Sequence, residues 1–143
     1  MYPETIALEA LRQKIEAALQ QSGSLADYLD RGKPGAAEEW TAQRQIAELE
    51  SLAASLKQHL AQTCAQYPAA LQQWVALHIE ALRRIEAEPP GDAIAQTRRM
   101  VAATTIREWE RVRAGEQTYV GTNWYYLADH QEAMRRLLFV LPC

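Results

Sequence analysis

The chain of 143 residues has little of what marks the more specialised classes of protein. Its two cysteines, Cys64 and Cys143, are too few for a disulfide framework, which indicates a reducing compartment. No stretch approaches the roughly 18 uncharged apolar residues that indicate a membrane span. The first residues lack the basic start and the apolar run of a secretory signal. We therefore expect a cytoplasmic protein that does not span a membrane.

The sequence also lacks an excess of basic charge. The formal net charge is −3, which disfavours a general affinity for nucleic acid, because phosphate binding depends on clustered Lys and Arg. Residues 94–143 hold 7 Lys and Arg against 5 Asp and Glu, whereas residues 1–93 hold 8 against 13. We expect the acidic front and the mildly basic back to attract each other within one domain, 1–143.

Motifs of catalysis, metal ligation and phosphate binding are missing as well. No nucleophile elbow, P-loop, paired Cys-x-x-Cys or His-Glu-x-x-His run occurs. The three histidines, His59, His78 and His130, lack a carboxylate at the spacing of di-iron bundles, so no metal and no cofactor are predicted. His130 and Met134 have the i, i+4 spacing of axial haem ligands, but core packing is the simpler interpretation.

What the sequence does contain is helical periodicity divided by proline and glycine. Apolar residues recur every three or four positions between these breaks, which predicts amphipathic helices. We expect an all-α fold, an antiparallel bundle of four main helices plus one short helix. Gly23 is expected to end the first helix, and Asp92 to cap the fifth. The predicted helices cover 4–21, 25–31, 36–66, 69–87 and 93–114.

The last part of the chain has two possible structures. Asn123 could cap a final helix that carries Leu127, Met134 and Leu138. The aromatic and β-branched residues on both sides of Gly121 would also suit a small hairpin near 117–126.

Segment 36–66 predicts more than a helix. At 1.5 Å per residue it would be about 46 Å long, whereas a compact domain of this size is only about 37 Å across. Either this helix bends, or the molecule is elongated and paired with another copy.

Aromatic residues are the best candidates for function, because Trp and Tyr are enriched in interface hot spots. Trp40, Trp74 and Trp109 fall one to each long helix, and with His78 they belong either to the core or to an internal ligand pocket. The apolar C-terminal run needs a cover, either inside the bundle or on a second chain. The predicted interaction surface consists of Tyr119, Trp124, Tyr125, Tyr126, Leu138, Phe139 and Leu141.

An arginine row in the fifth helix offers a different hypothesis. Arg99, Arg107 and Arg111 share an i±4 row that could follow a phosphate backbone. Glu108 and Glu110 are interleaved with it, which is more typical of a solvated face.

The sequence therefore favours a non-enzymatic interaction protein, such as an adaptor, a small chaperone or an accessory subunit. We expect a protein partner or a homodimer, formed through the long helix or the apolar C-terminal surface. The alternatives are a bundle that binds a small apolar ligand in an internal pocket and, with less support, a nucleic-acid binder that uses the arginine row.

Overall fold

The computed structural model of this protein describes residues 1–121 and 124–140, and these residues form five helices and no strand. The predicted all-α class is confirmed. None of the helices in these two ranges combines the length and the hydropathy that crossing a bilayer requires. The helices are α1 (Pro3–Arg31), α2 (Ala36–Gln66), α3 (Pro68–Glu86), α4 (Ala93–Arg113) and α5 (Trp124–Val140).

Several helix boundaries follow the predicted proline and capping signals. The structure has α2 at 36–66, as predicted, and α3 begins at Pro68, where a missing backbone N–H costs nothing. Asp92 caps α4 as predicted, because its Oδ1 accepts a hydrogen bond of 2.9 Å from the backbone N–H of Ala95.

The predicted break at Gly23 is wrong. A single helix, α1, runs through both predicted segments from Pro3 to Arg31. Ser24 does not cap a new helix, since its hydroxyl donates to the carbonyl of Gln20 at 3.0 Å within the same helix. A glycine inside a helix costs only about 1 kcal/mol, which the packing of α1 against α2 offsets.

The predicted hairpin near 117–126 is also not formed in the described part of the chain. Residues 114–121 are irregular, and Tyr125 and Tyr126 already lie in α5. Val120 turns into the core, and Gln117 Nε2 donates to the carbonyl of Tyr119 at 2.8 Å. These side-chain interactions replace the cross-strand ladder of a hairpin. The predicted cap Asn123 lies outside the described residues.

One core cluster joins the helices. α1 packs most extensively against α2, α3 packs most extensively against α4, and α5 contacts both α3 and α4. The cluster includes Leu8 and Ile15 from α1, Leu60 from α2, Trp74 and Leu82 from α3, Trp109 from α4 and Leu127 from α5. α5 is not a regular helix throughout, since Leu127 has non-helical backbone angles (φ −120°, ψ 19°).

The first two helices continue beyond this core. α1 has 29 residues and α2 has 31, whereas α3, α4 and α5 have 19, 21 and 17. The excess of roughly ten residues corresponds to about 15 Å of helix. We call residues 23–52 the arm, because Ala42 is their one buried residue. The described core cluster draws no residue from this range.

Candidate functional site

A buried carboxylate, Glu9 of α1, is the centre of a polar cluster inside the core. Its Oε2 accepts hydrogen bonds from Trp74 Nε1 at 2.7 Å and from His78 Nε2 at 2.5 Å. Its Oε1 accepts from Arg12 of the same helix, through Nε at 3.0 Å and also through Nη2. Glu9 is only 1% exposed, so these donors replace the water that a carboxylate needs.

Two histidines extend the cluster from α1 through α3 to α5. His78 Nδ1 lies 3.0 Å from His130 Nε2, and the two residues are 0% and 5% exposed. An ionised carboxylate can only accept, so His78 Nε2 carries the proton that it shares with Glu9. In neutral His78, Nδ1 is then an acceptor, and His130 Nε2 is the donor between the two rings.

Arg12 connects the cluster to α5 a second time, through Glu16. Arg12 Nη1 donates to Glu16 Oε1 at 2.5 Å, and Gln131 Nε2 of α5 donates to Glu16 Oε2 at 2.8 Å. The chain of hydrogen bonds thus starts at one residue of α5 and returns to the next. We call these six side chains the polar ring: Glu9, Arg12, Glu16, His78, His130 and Gln131.

Burial and charge oppose each other in the polar ring. Burial alone would raise the pKa of Glu9, but hydrogen bonds from His78 and Arg12 and the positive charge of Arg12 hold it well below its usual range. Burial lowers the pKa of His78, although Glu9 opposes this effect. Burial, His78 and Arg12 lower the pKa of His130 to about 3. Near pH 7 both imidazoles are therefore neutral, while Glu9 and Arg12 are ionised.

The ring links α1, α3 and α5 through side-chain hydrogen bonds. Its members are each no more than 5% exposed, so these groups contact protein and not a dissolved substrate. The arrangement favours a structural or proton-sensitive role over a surface catalytic one.

Two tryptophans pack against His78. Trp109 stacks on His78 with ring centroids 3.8 Å apart, and Trp74 meets Trp109 edge to face at 4.6 Å. The predicted pocket residues Trp74, His78 and Trp109 are thus brought together, packed directly against one another. The fourth, Trp40, does not join them. It is 62% exposed on the arm, with Arg44 over its ring at 5.5 Å.

A second candidate site is the groove between α1 and α2 on the arm. Two adjoining depressions share Leu25 and Gln45 and form one groove. Its carboxylates already have partners, since Glu48 contacts Arg44 at 3.3 Å and Glu38 accepts from the Tyr28 hydroxyl at 3.3 Å. The groove is lined by Gln21, Leu25, Tyr28, Ala37, Glu38, Thr41, Ala42, Gln45, Glu48, Leu49 and Leu52.

The predicted C-terminal interaction surface is only partly on the outside. Tyr125 and Phe139 are 78% and 80% exposed, whereas Tyr126 is half-buried. Leu138 is 3% exposed, so it belongs to the core and not to the predicted surface. Successive residues of a helix point about 100° apart, so Leu138 faces inward while its neighbour Phe139 faces outward.

The predicted surface has three remaining members, Tyr119, Trp124 and Leu141. Tyr119 is half-buried against the core, with Lys57 Nζ 4.8 Å from its ring centroid. The side chain of Trp124 and all of Leu141 lie outside the described structure.

The residues of the arginine row have separate environments. Arg99 Nε donates to the carbonyl of Glu86 at 3.2 Å, while Arg107 and Arg111 are exposed. The suggested axial pair, His130 and Met134, is buried, and His130 Nε2 already contacts His78. Neither hypothesis gains an observation in its favour.

Sequence reasoning missed the α1 members of the polar ring. Glu9, Arg12 and Glu16 follow each other at spacings of three and four, on the same helical face as Leu8 and Ile15. That spacing indicates that these charged residues occupy core positions. Their partners could not be predicted from local sequence, because Glu16 and its partner Gln131 are 115 residues apart in the chain.

Across the described residues, no group of three His, Cys, Asp or Glu side chains is arranged to hold a metal ion. Comparisons with protein-family models, with curated proteins and with solved structures give no match.

Proposed function

We propose that this protein is a non-enzymatic interaction protein that forms a homodimer by packing its arm against the arm of a second copy. The proposal keeps the predicted antiparallel bundle as the scaffold. The observation that carries it is the burial pattern of the arm, where Ala42 alone is buried between residues 23 and 52. A two-helix layer needs a further layer to cover its apolar seam.

The apolar residues of the arm support this proposal. Leu25 and Leu49 are half-buried at the α1/α2 seam, and Tyr28 and Leu52 remain 45% and 49% exposed. In the inner half of the same helices, α3 covers the corresponding seam. A second arm is a helix pair of matching length that could supply the missing cover.

The polar lining of the groove is compatible with a copy of itself. A two-fold interface brings the same residues together from both chains. Gln45, shared by both halves of the groove, has an amide that both donates and accepts, so it can pair with its own copy. Of the two carboxylates in the lining, Glu48 is paired with Arg44, whereas Glu38 is held by the neutral Tyr28 hydroxyl and keeps its negative charge.

The expected size of the interface indicates a weak dimer. The arm contributes nine residues of α1, about 14 Å of helix, and 17 residues of α2, about 25 Å, so at about 10 Å per helix one face offers about 400 Å². Two copies would bury about 800 Å², which is below the roughly 1,000 Å² of a stable interface and corresponds to a weak, transient dimer. The arm also carries six acidic and three basic residues, so salt should strengthen its self-association.

Sedimentation velocity over a concentration series tests the proposal. The wild-type protein should shift from its chain mass of 16.2 kDa toward twice that value, and more readily at high salt. Leu52→Glu, which places a charge in the groove, should abolish the shift. Met100→Glu is the matched control, because Met100 is 70% exposed on α4, away from the arm.

Two results would contradict the proposal. One is a monomer at every concentration up to the millimolar range. The other is a dimer that Leu52→Glu leaves intact while Met100→Glu disrupts it.

A further inference from the structure

The attachment of α5 to the rest of the molecule uses buried polar groups as well as apolar ones. Its described buried side chains are three apolar ones, Leu127, Met134 and Leu138, and two polar ones, His130 and Gln131. The polar pair provides the two closing hydrogen bonds of the polar ring, to His78 of α3 and Glu16 of α1. The docking of α5 is therefore tied to the protonation of that ring.

We propose that α5 is an acid-sensitive element, and that protonation of the His78–His130 pair releases it from α1 and α3. This inference concerns the core and does not rest on the function proposed for the arm. A failure of one leaves the other standing.

The proton inventory of the pair explains the sensitivity. In the neutral state, His78 Nε2–H donates to Glu9, and His130 Nε2–H donates to His78 Nδ1. A proton added to His78 occupies Nδ1, so two N–H groups then face each other at 3.0 Å and the hydrogen bond is lost. A proton added to His130 leaves that bond but buries a positive charge close to Arg12.

The charged groups around the pair divide by element. From α1, Glu9 favours a protonated pair and Arg12 opposes it. From α5 itself, Asp129 favours protonation of His130, and α4 contributes the uncharged ring of Trp109. Burial outweighs the two carboxylates and lowers the pKa of both imidazoles. Separation of α5 would return His130 to water and remove this penalty.

A second attachment keeps the released helix near α4. Arg98 of α4 donates to the carbonyl of Tyr126 at 2.5 Å and to Asp129 Oδ1 at 2.7 Å. Hydrogen bonds from Arg98 lower the pKa of Asp129, so this contact persists at pH values where the histidines take up protons. The proposed change is thus the loss of contacts with α1 and α3 on a tether to α4.

Amide hydrogen exchange, read by mass spectrometry and corrected for the intrinsic exchange rate at each pH, tests this inference. Between about pH 7 and pH 5, α5 peptides of the wild-type protein should lose protection about twentyfold, the ratio expected when opening returns a group of pKa about 3 to an ordinary value of 6.5. Peptides from α2 should change little. Loss of protection in all helices together, or in none, would overturn the inference.

Two variants sharpen the experiment. His130→Gln keeps a side-chain N–H donor toward His78 but cannot gain a proton, so the pH effect on α5 should shrink to a few-fold at most. His59→Gln removes an exposed histidine of α2 and should leave the full effect. An unchanged pH effect in His130→Gln would refute the role of the pair. If that variant does not fold, the comparison of α5 with α2 in the wild-type protein still decides.

Discussion

The inner and outer halves of the α1/α2 pair contain similar charged pairs in opposite environments. Arg12 and Glu9, three residues apart in α1, are each 2% exposed in their side chains. Arg44 and Glu48, four residues apart in α2, are 65% and 67% exposed. Both are ordinary helical pairs in the sequence. The difference is made by α3 and α5, which cover the first pair and supply it with partners, and it shows that local spacing does not determine burial.

The largest test of this comparison uses the tryptophans of the two regions. Trp109→Ala should lower the free energy of unfolding by about 4 kcal/mol, because it removes a side chain that is 1% exposed and leaves a cavity beside His78. Trp40→Ala on the arm should change it by less than about 0.5 kcal/mol. Urea denaturation at low protein concentration measures both. Equal effects would mean that the arm is as tightly packed as the core.

A somewhat smaller effect is expected from the carboxylates. Glu9→Gln should cost about 3 kcal/mol, because it leaves buried Arg12 with one carboxylate partner fewer. Glu48→Gln removes the corresponding exposed partner of Arg44 and should leave the urea midpoint almost unchanged. If Glu9→Gln proved neutral, the polar ring would contribute little to stability.

The smallest expected effect concerns the glycine that links the two halves of α1. A Cβ at Gly23 would meet no atom within 4 Å, so Gly23→Ala should stabilise the protein by about 0.5–1 kcal/mol. Gly115→Ala is the contrasting control, because a φ of +79° strains any residue with a Cβ. The melting temperature should rise for Gly23→Ala and fall for Gly115→Ala. A lower melting temperature for Gly23→Ala would indicate that the arm needs a flexible joint.

Much of the fold could be predicted because its signals are local. The periodicity of α2, the proline that begins α3 and the carboxylate that caps α4 each act within a few residues. The break at Gly23 was wrong because a weak local cost is overridden by packing against α2. The predicted hairpin was wrong because Val120 packs into the core, and because the carbonyl of Tyr119 accepts a hydrogen bond from Gln117 in place of a cross-strand partner.

The candidate sites were less accessible from the sequence. His78 was predicted to lie with the tryptophans in the core or in a pocket, but its partners Glu9 and His130 lie 69 and 52 residues away. Trp40, Trp74 and Trp109 looked equivalent along the chain, although the structure exposes the first and buries the other two. Which face of a helix receives a neighbour is a tertiary property, and the sequence alone did not distinguish these cases.

The continuity of α1 through Gly23 has a mechanical consequence. Two unbroken rows of backbone hydrogen bonds, those of α1 and α2, run from the end of the arm near Lys33, and the row of α1 leads to Glu9 and Arg12 in the polar ring. The projecting part cannot swing as a hinged flap unless one of these rows breaks. A force applied near Lys33 is therefore transmitted along one continuous, rigid helix to the part of α1 that carries Glu9 and Arg12.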